Sequence, residues 1–174
     1  MAVKEIDCFE MYELEIKIPS SQESNYKIEI GTDILGSLRE RIYSNYGRLS
    51  KFVVTDENLV TAGHFKKLIG ERSLPSFVIA PPGETSKHIH TVISIIEAME
   101  EAYLGRDSLI IALGGGTVGD IAGFAAAIFK RGIPVLHIPT TTVAQADSSI
   151  GGKTGVDSSL SKNAFGAFWH PAGV

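Results

Sequence analysis

The sequence predicts an α/β fold, a mostly parallel sheet with helices on both faces and an antiparallel strand pair at its N-terminal end. Three observations carry this. From about residue 51 to residue 139, strand-like runs alternate with helix-like runs, the pattern of a parallel sheet built by crossovers. Before them, two short runs alternate apolar and polar residues, as half-buried antiparallel strands do. Hydrophobic residues make up 44% and charged residues 21% of 174 positions, an ordinary composition with enough chain for one domain and a sizeable core.

After an arm of about ten residues, YELEIKI (12–18) is the first alternating run, ended by Pro19. SSQESN is a polar turn and YKIEI (26–30) the second run, so the two form a pair at a sheet edge. From Thr32 the period lengthens, and Ile34, Leu35, Leu38 and Ile42 share one helical face. KFVVTD (51–56) is a strand, and ENLVTAGHFKKLIG (57–70) is expected to be one helix closed by glycine. SFVIA (76–80) is a strand and residues 88–104 a long helix ending before Gly105. SLIIALGGG (108–116) is a buried strand running into a glycine turn. Residues 117–132 form an apolar helix and PVLHIP (134–139) another buried strand. Residues 147–168 are expected to be a polar, glycine-rich loop, the kind of segment where binding chemistry gathers after buried structure.

A net charge of -4 argues against a nucleic-acid partner, which would need a basic face. The single cysteine, Cys8, rules out an internal disulfide and fits a cytoplasmic protein. The first residues hold no apolar stretch of signal-peptide length. The longest apolar run, IAGFAAAIF (121–129), falls far short of the roughly 20 residues that span a bilayer. A helix apolar on all sides at that length belongs between layers of a globular protein, so no membrane role is expected.

Leu113 to Asp120 spells LGGGTVGD. Gly114, Gly116 and Gly119 match the dinucleotide fingerprint, with a strand before and a helix after, which predicts a Rossmann-like nucleotide site. Gly114 would take the tight turn, and Gly116 would let a pyrophosphate approach backbone N–H groups at the positive end of the helix. The acidic residue expected about 20 positions later is missing, because that region reads LHIPTTT. Asp56, at the end of its strand, is the alternative ribose ligand, with helix N-capping as the equally weighted plain role. Asp120 has its own plain role, a carboxylate at the start of a helix. PPGETSK (81–87) would bring Glu84 and Lys87 to the same rim, unless it serves only to cap the next helix. In the 147–168 loop, Lys153 and Lys162 beside Asp147 and Asn163 point to an anionic, phosphorylated ligand.

Other patterns lead nowhere. GGKT (151–154) lacks the upstream glycine of a P-loop, where Asp147 stands. His88 and His90, two apart on a helix, diverge, and no histidine spacing forms a metal site. Lys130 and Arg131 close the apolar helix, where cations suit its dipole.

PPGETSK, GGGTVGDIAGFAAAIFKRG and IPTTTVAQADSSIGGKTGVDSSLSKNAFGAF, in that order, closely resemble the 3-dehydroquinate synthases, sugar-phosphate cyclases of the shikimate pathway of aromatic amino-acid biosynthesis. The resemblance is strong from about Asp56 onward and covers the first fifty residues in outline. It implies a lyase that uses NAD and a divalent metal, zinc or cobalt. Such an enzyme converts 3-deoxy-D-arabino-heptulosonate 7-phosphate to 3-dehydroquinate and phosphate by transient oxidation, elimination, reduction and ring closure. By the same resemblance Asp56 is similar to the adenosine-ribose ligand. Gly83, Glu84 and Lys87 fall in the PxGExxK cofactor segment, and Gly115, Gly116, Gly119 and Asp120 in the glycine turn. Thr140 and Thr141 match the threonine pair lining the cofactor, and Lys162 the second cofactor-side lysine. Lys153, also counted among the cofactor contacts, and Asn163 resemble the residues that hold substrate and its phosphate, and Asp147 resembles the acid beside the reacting hydroxyls. Arg131 resembles an arginine that reaches the neighbouring subunit's phosphate site, which implies a homodimer. The family's metal ligands, a glutamate and two histidines, lie in a helical second domain beyond residue 174. Residues 1–174 are thus expected to be the NAD-binding N-terminal domain, inactive alone. Two alternatives stand beside this: another sugar-phosphate cyclase making an inosose or valiolone, and a non-catalytic NAD-binding or dimerisation module.

Overall fold

The computed structural model describes residues 12–18 and 24–174; the N-terminal arm with Cys8 and the turn at 19–23 lie outside the described residues. Strands β3 (Ser50–Asp56), β4 (Ser76–Ile79), β5 (Ser108–Gly114) and β6 (Val135–Pro139) form a parallel sheet in the order β4-β3-β5-β6. Strands β1 (Tyr12–Ile18) and β2 (Ser24–Ile30) pair antiparallel, Leu14 opposite Ile28, as the alternation predicts. The link between the two sheets is made by the last residues of the chain. Gly173 bridges both Leu136 of β6 and Lys27 of β2, and Val174 N donates to Lys27 O at 3.0 Å.

Every residue of β5 is buried, and its side chains divide by parity, as a strand covered on both faces requires. Ile110 and Ala112, with Phe52 and Val54 of β3, face α4 (Ile89–Glu101) and α5 (Gly116–Ile128). Leu109, Ile111 and Leu113, with Val53, face α1 (Leu35–Asn45) and α3 (His64–Ile69). The expected helices on both faces are therefore present.

The single helix expected over 57–70 is two: α2 (Glu57–Thr61) and α3. Gly63 separates them at φ +79, a left-handed conformation that stops a helix and costs glycine little. The apolar periodicity runs through the break and conceals it. Helix α4 starts after His88, whose Nδ1 accepts from Thr91 N at 3.3 Å as the N-cap.

The 147–168 segment departs furthest from expectation. It begins at the end of a π-helical turn, Ala144–Ser148, and contains a hairpin of β7 (Lys153–Val156) and β8 (Phe165–Phe168). Helix α5 packs between β5 on one side and β7 on the other, which explains its apolar circumference. The approach is close: a methyl group on Gly123 would come within 2.4 Å of Thr154 Cγ2.

Candidate functional site

The C-terminal ends of four parallel strands meet at one rim, where α/β sheets bind ligands. Asp56 ends β3 beside Ile79 of β4, and Gly114 ends β5 opposite Pro139 of β6. The segments that follow these strands carry PPGETSK, the glycine turn and the threonine triplet.

At the glycine turn, Gly115 is the N-cap of α5 and offers no side chain to its first N–H groups. Those of Gly116, Thr117 and Val118 precede any intrahelical acceptor, so they face outward with the positive helix end. Neither Gly115 nor Gly116 has a positive φ, so the glycines provide space rather than a special conformation. A methyl on Gly115 would come within 3.0 Å of Thr141 Cγ2, and one on Gly116 within 2.9 Å of Ser148 Oγ. Gly114 too has an ordinary φ. It is glycine because a methyl there would come within 2.5 Å of Val118 Cγ2, which corrects the expected tight-turn role. Gly119 faces away from the rim, against His137, where it lets α5 approach β6. The turn thus has the bare backbone, free donors and field that a pyrophosphate needs.

Around it, Thr140 N donates to Gly114 O at 2.9 Å, and Thr141 Oγ1 accepts from Ala144 N at 3.2 Å. Asp56 is buried and caps α2, accepting from Leu59 N at 3.1 Å, so its plain role is real whatever else it binds. Gly83, at φ +97 and ψ -168, occupies a region open essentially to glycine alone and turns the chain into the 3₁₀ turn Glu84–Ser86.

Lys87 ties the rim together. Its Nζ, nearly buried, lies 2.6 Å from Asp120 Oδ2 on α5 and donates to Asn163 Oδ1 at 2.7 Å. Burial raises the Asp120 pKa; Lys87 opposes this, and the charges of Glu84 and Asp157 add to it. A second, exposed pair joins Glu84 to Lys162 at 3.0 Å and holds the Lys162 pKa above its usual value. Asp157, for which no role was expected from the sequence, accepts from Asn163 N at 2.6 Å, and its own N–H donates to Lys87 O at 2.9 Å. Asn163 sits at φ +51, a conformation asparagine tolerates better than most residues. No motif marks Asp157, because its contact with Asn163 forms only when the loop folds back.

A cleft of about 510 Å³ opens beside this cluster, lined by Asp120, Asp147, Ser148, Lys153 and Asn163, among others. It gathers the acid, lysine and amide expected at the substrate. Arg131 is elsewhere, past the far end of α5. Lys130, Arg131 and Gly132 take three successive positive φ values (49, 71 and 112), and Arg131 is exposed without a partner among the described residues. Among the described residues no three His, Cys, Asp or Glu side chains could hold a metal ion.

Known proteins match this architecture. A family model, 3-dehydroquinate synthase N-terminal, matches residues 76–174. A 3-dehydroquinate synthase from Bradyrhizobium sp. is 42% identical over 86% of this chain, which spans 40% of that relative's length. A 2-deoxy-scyllo-inosose synthase solved with carbaglucose-6-phosphate, NAD+ and Co2+ superposes with a TM-score of 0.72 at 27% identity, over 92% of this chain and 45% of that one. A 2-epi-5-epi-valiolone synthase from Streptomyces hygroscopicus with NAD+ and Zn2+ bound gives 0.76 at 26% identity, over 90% and 44%. With the family model covering more than half of its length, the chain belongs to the 3-dehydroquinate synthase N-terminal domain family.

Proposed function

We propose that this chain is the NAD-binding half of a 3-dehydroquinate synthase acting on 3-deoxy-D-arabino-heptulosonate 7-phosphate in the shikimate pathway. The observation that carries it is the Lys87 bridge: one buried ammonium joins the glycine-turn helix, through Asp120, to the cleft residue Asn163. A nucleotide at the turn and a sugar phosphate in the cleft would then share one wall.

In this reading the bare turn at Gly115 and Gly116 takes the pyrophosphate, and Glu84, Lys87, Thr140, Thr141 and Lys162 surround the dinucleotide. Asp56 takes the adenosine ribose while keeping its cap. NAD, when bound, supplies a hydride acceptor for a substrate hydroxyl. Lys153 and Asn163 hold the anionic sugar phosphate, and Asp147, exposed at the cleft, accepts a hydrogen bond from the reacting hydroxyls. The zinc or cobalt that the resemblance implies would depend on residues beyond those described.

A homodimer in the cytoplasm belongs to the same proposal. Its support is Arg131, presented on a left-handed turn with no partner in its own chain among the described residues, as a residue serving a neighbouring subunit would be. Among the described residues no helix is long and apolar enough to cross a membrane. Cyclases making an inosose or valiolone share the fold, but identity is 26–27% there against 42% with a 3-dehydroquinate synthase.

The test is product identification by mass spectrometry. The full-length polypeptide containing this chain, incubated with the heptulosonate phosphate, NAD and zinc, should yield 3-dehydroquinate and phosphate. Failure to do so while a hexose or heptulose phosphate is cyclised instead would overturn the assignment.

A further inference from the structure

The side-chain amide of Asn163 has a fixed polarity. An ammonium can only donate, so the amide atom 2.7 Å from Lys87 Nζ is the oxygen, Oδ1. The other end, Nδ2, carries two N–H donors and has no hydrogen-bond partner among the described residues. Asn163 is exposed and lines the cleft with Asp147 and Lys153. Its amide therefore offers the cleft donors only, which suits an anionic oxygen.

That offer depends on a backbone conformation few side chains tolerate. Asn163 has φ +51, and left-handed residues persist where their surroundings hold them. The turn before it is closed by its own bonds. Ser158 Oγ accepts from Leu160 N at 3.1 Å and from Ser161 N at 3.0 Å, and Ser158 N donates to Ser161 O at 2.9 Å. None of these reaches Asn163. Its backbone N–H is taken instead by Asp157 Oδ1 at 2.6 Å. The N–H of Asp157 in turn donates to Lys87 O at 2.9 Å. One residue thus registers both partners of the Lys87–Asn163 contact, Lys87 through its backbone and Asn163 through its carboxylate.

We propose that Asp157 is a positioning residue for the substrate phosphate. Its carboxylate holds Asn163 in the left-handed conformation, so that Nδ2 donates to a phosphate oxygen in the cleft while Oδ1 stays on Lys87. The inference rests on the sugar-phosphate reading proposed for the cleft. Asp157 does not itself contact the phosphate, which its charge would repel.

The test is steady-state kinetics of the full-length polypeptide with the heptulosonate phosphate, NAD and zinc. The parent is compared with Asp157→Ala, Asp157→Asn, Asn163→Ala and the double variant Asp157→Ala/Asn163→Ala. All of them keep the backbone bond to Lys87. A positioning role predicts a KM about tenfold higher in Asp157→Ala, with kcat within about twofold of the parent. Asp157→Asn keeps an acceptor and loses the charge, so its KM should stay within about threefold of the parent's. The double variant should be no worse than Asn163→Ala alone, because Asp157 acts through Asn163. An unchanged KM in Asp157→Ala overturns the proposal, as does a loss confined to kcat or complete, which misfolding would give. So does an Asp157→Asn variant as impaired as Asp157→Ala, or a double variant worse than Asn163→Ala. A parent that forms no 3-dehydroquinate overturns the proposed function and this inference with it. An active parent with any of the other results overturns the role of Asp157 alone.

Discussion

Replacing Lys87 with methionine tests whether the rim is held by the buried bridge. The substitution keeps most of the apolar stem and removes the ammonium of a residue only 7% exposed. It strands the Asp120 carboxylate, whose side chain is 19% exposed, and removes the donor to Asn163 Oδ1. Breaking a fully buried pair by deleting one partner costs about 3–5 kcal/mol, and the partial exposure of Asp120 softens this to about 2–4 kcal/mol. For a domain of this size the melting temperature should fall by roughly 5–15 °C. The deficit should depend on pH. Burial already raises the Asp120 pKa, with Lys87 pulling against it, so removing Lys87 raises it further. Between the unfolded aspartate pKa and that raised value, the folded variant binds a proton that the unfolded chain releases. Its stability therefore rises as pH falls through that window. Melting of parent and variant at about pH 7.5 and about pH 5 should show a smaller deficit at the lower pH, and adding Asp120→Asn to Lys87→Met should recover part of the loss. An equal deficit at both pH values, or none at either, would show that Lys87 does not hold Asp120 in its charged form at this rim.

Two further outcomes follow from packing against α5. His137 is buried against Gly119 and Gly123, and burial lowers its pKa to about 4. The unfolded chain takes up its proton first, so stability should be lost as pH falls from about 6.5 towards 4, by about 3 kcal/mol at most. A His137→Leu variant should lack this acid-side loss in pH-dependent denaturant titrations; identical acid slopes would count against it. Gly123→Ala should destabilise by about 1–3 kcal/mol through its clash with Thr154 despite the better helix propensity, and a higher denaturation midpoint would show that the close approach is wrong.

The sequence made the sheet legible because its strands are buried on both faces and alternate with helices that carry an apolar stripe or, in α5, are apolar all round. β3 and β6 fall within a residue of their expected ranges, and β5 ends two residues earlier than expected, at Gly114. The break at Gly63 was invisible because Phe65, Leu68 and Ile69 continue the apolar rhythm of a single helix. The β7–β8 hairpin was invisible for another reason. Its strands, KTGV and FGAF, pair glycine with glycine at Gly155 and Gly166, and are specified by packing on α5 rather than by alternation. At the site, the motifs identified Lys87, Asp120 and Asn163 separately, but their meeting at one ammonium depends on the loop's return to the rim. Asp157 carries no motif signal beyond its neighbours; its carboxylate meets a backbone N–H, that of Asn163.

In the proposed function a dinucleotide seats on the bare backbone at Gly115 and Gly116. Calorimetric titration of this chain with NAD+, beside a Gly116→Val variant whose circular dichroism matches the parent, tests it most directly. The parent should show saturable one-site binding and the variant a loss of at least tenfold, about 1.4 kcal/mol, because a side chain at this position, whose Cβ alone would come within 2.9 Å of Ser148 Oγ, forces the turn out of place. Equal affinity in a correctly folded Gly116→Val would contradict it.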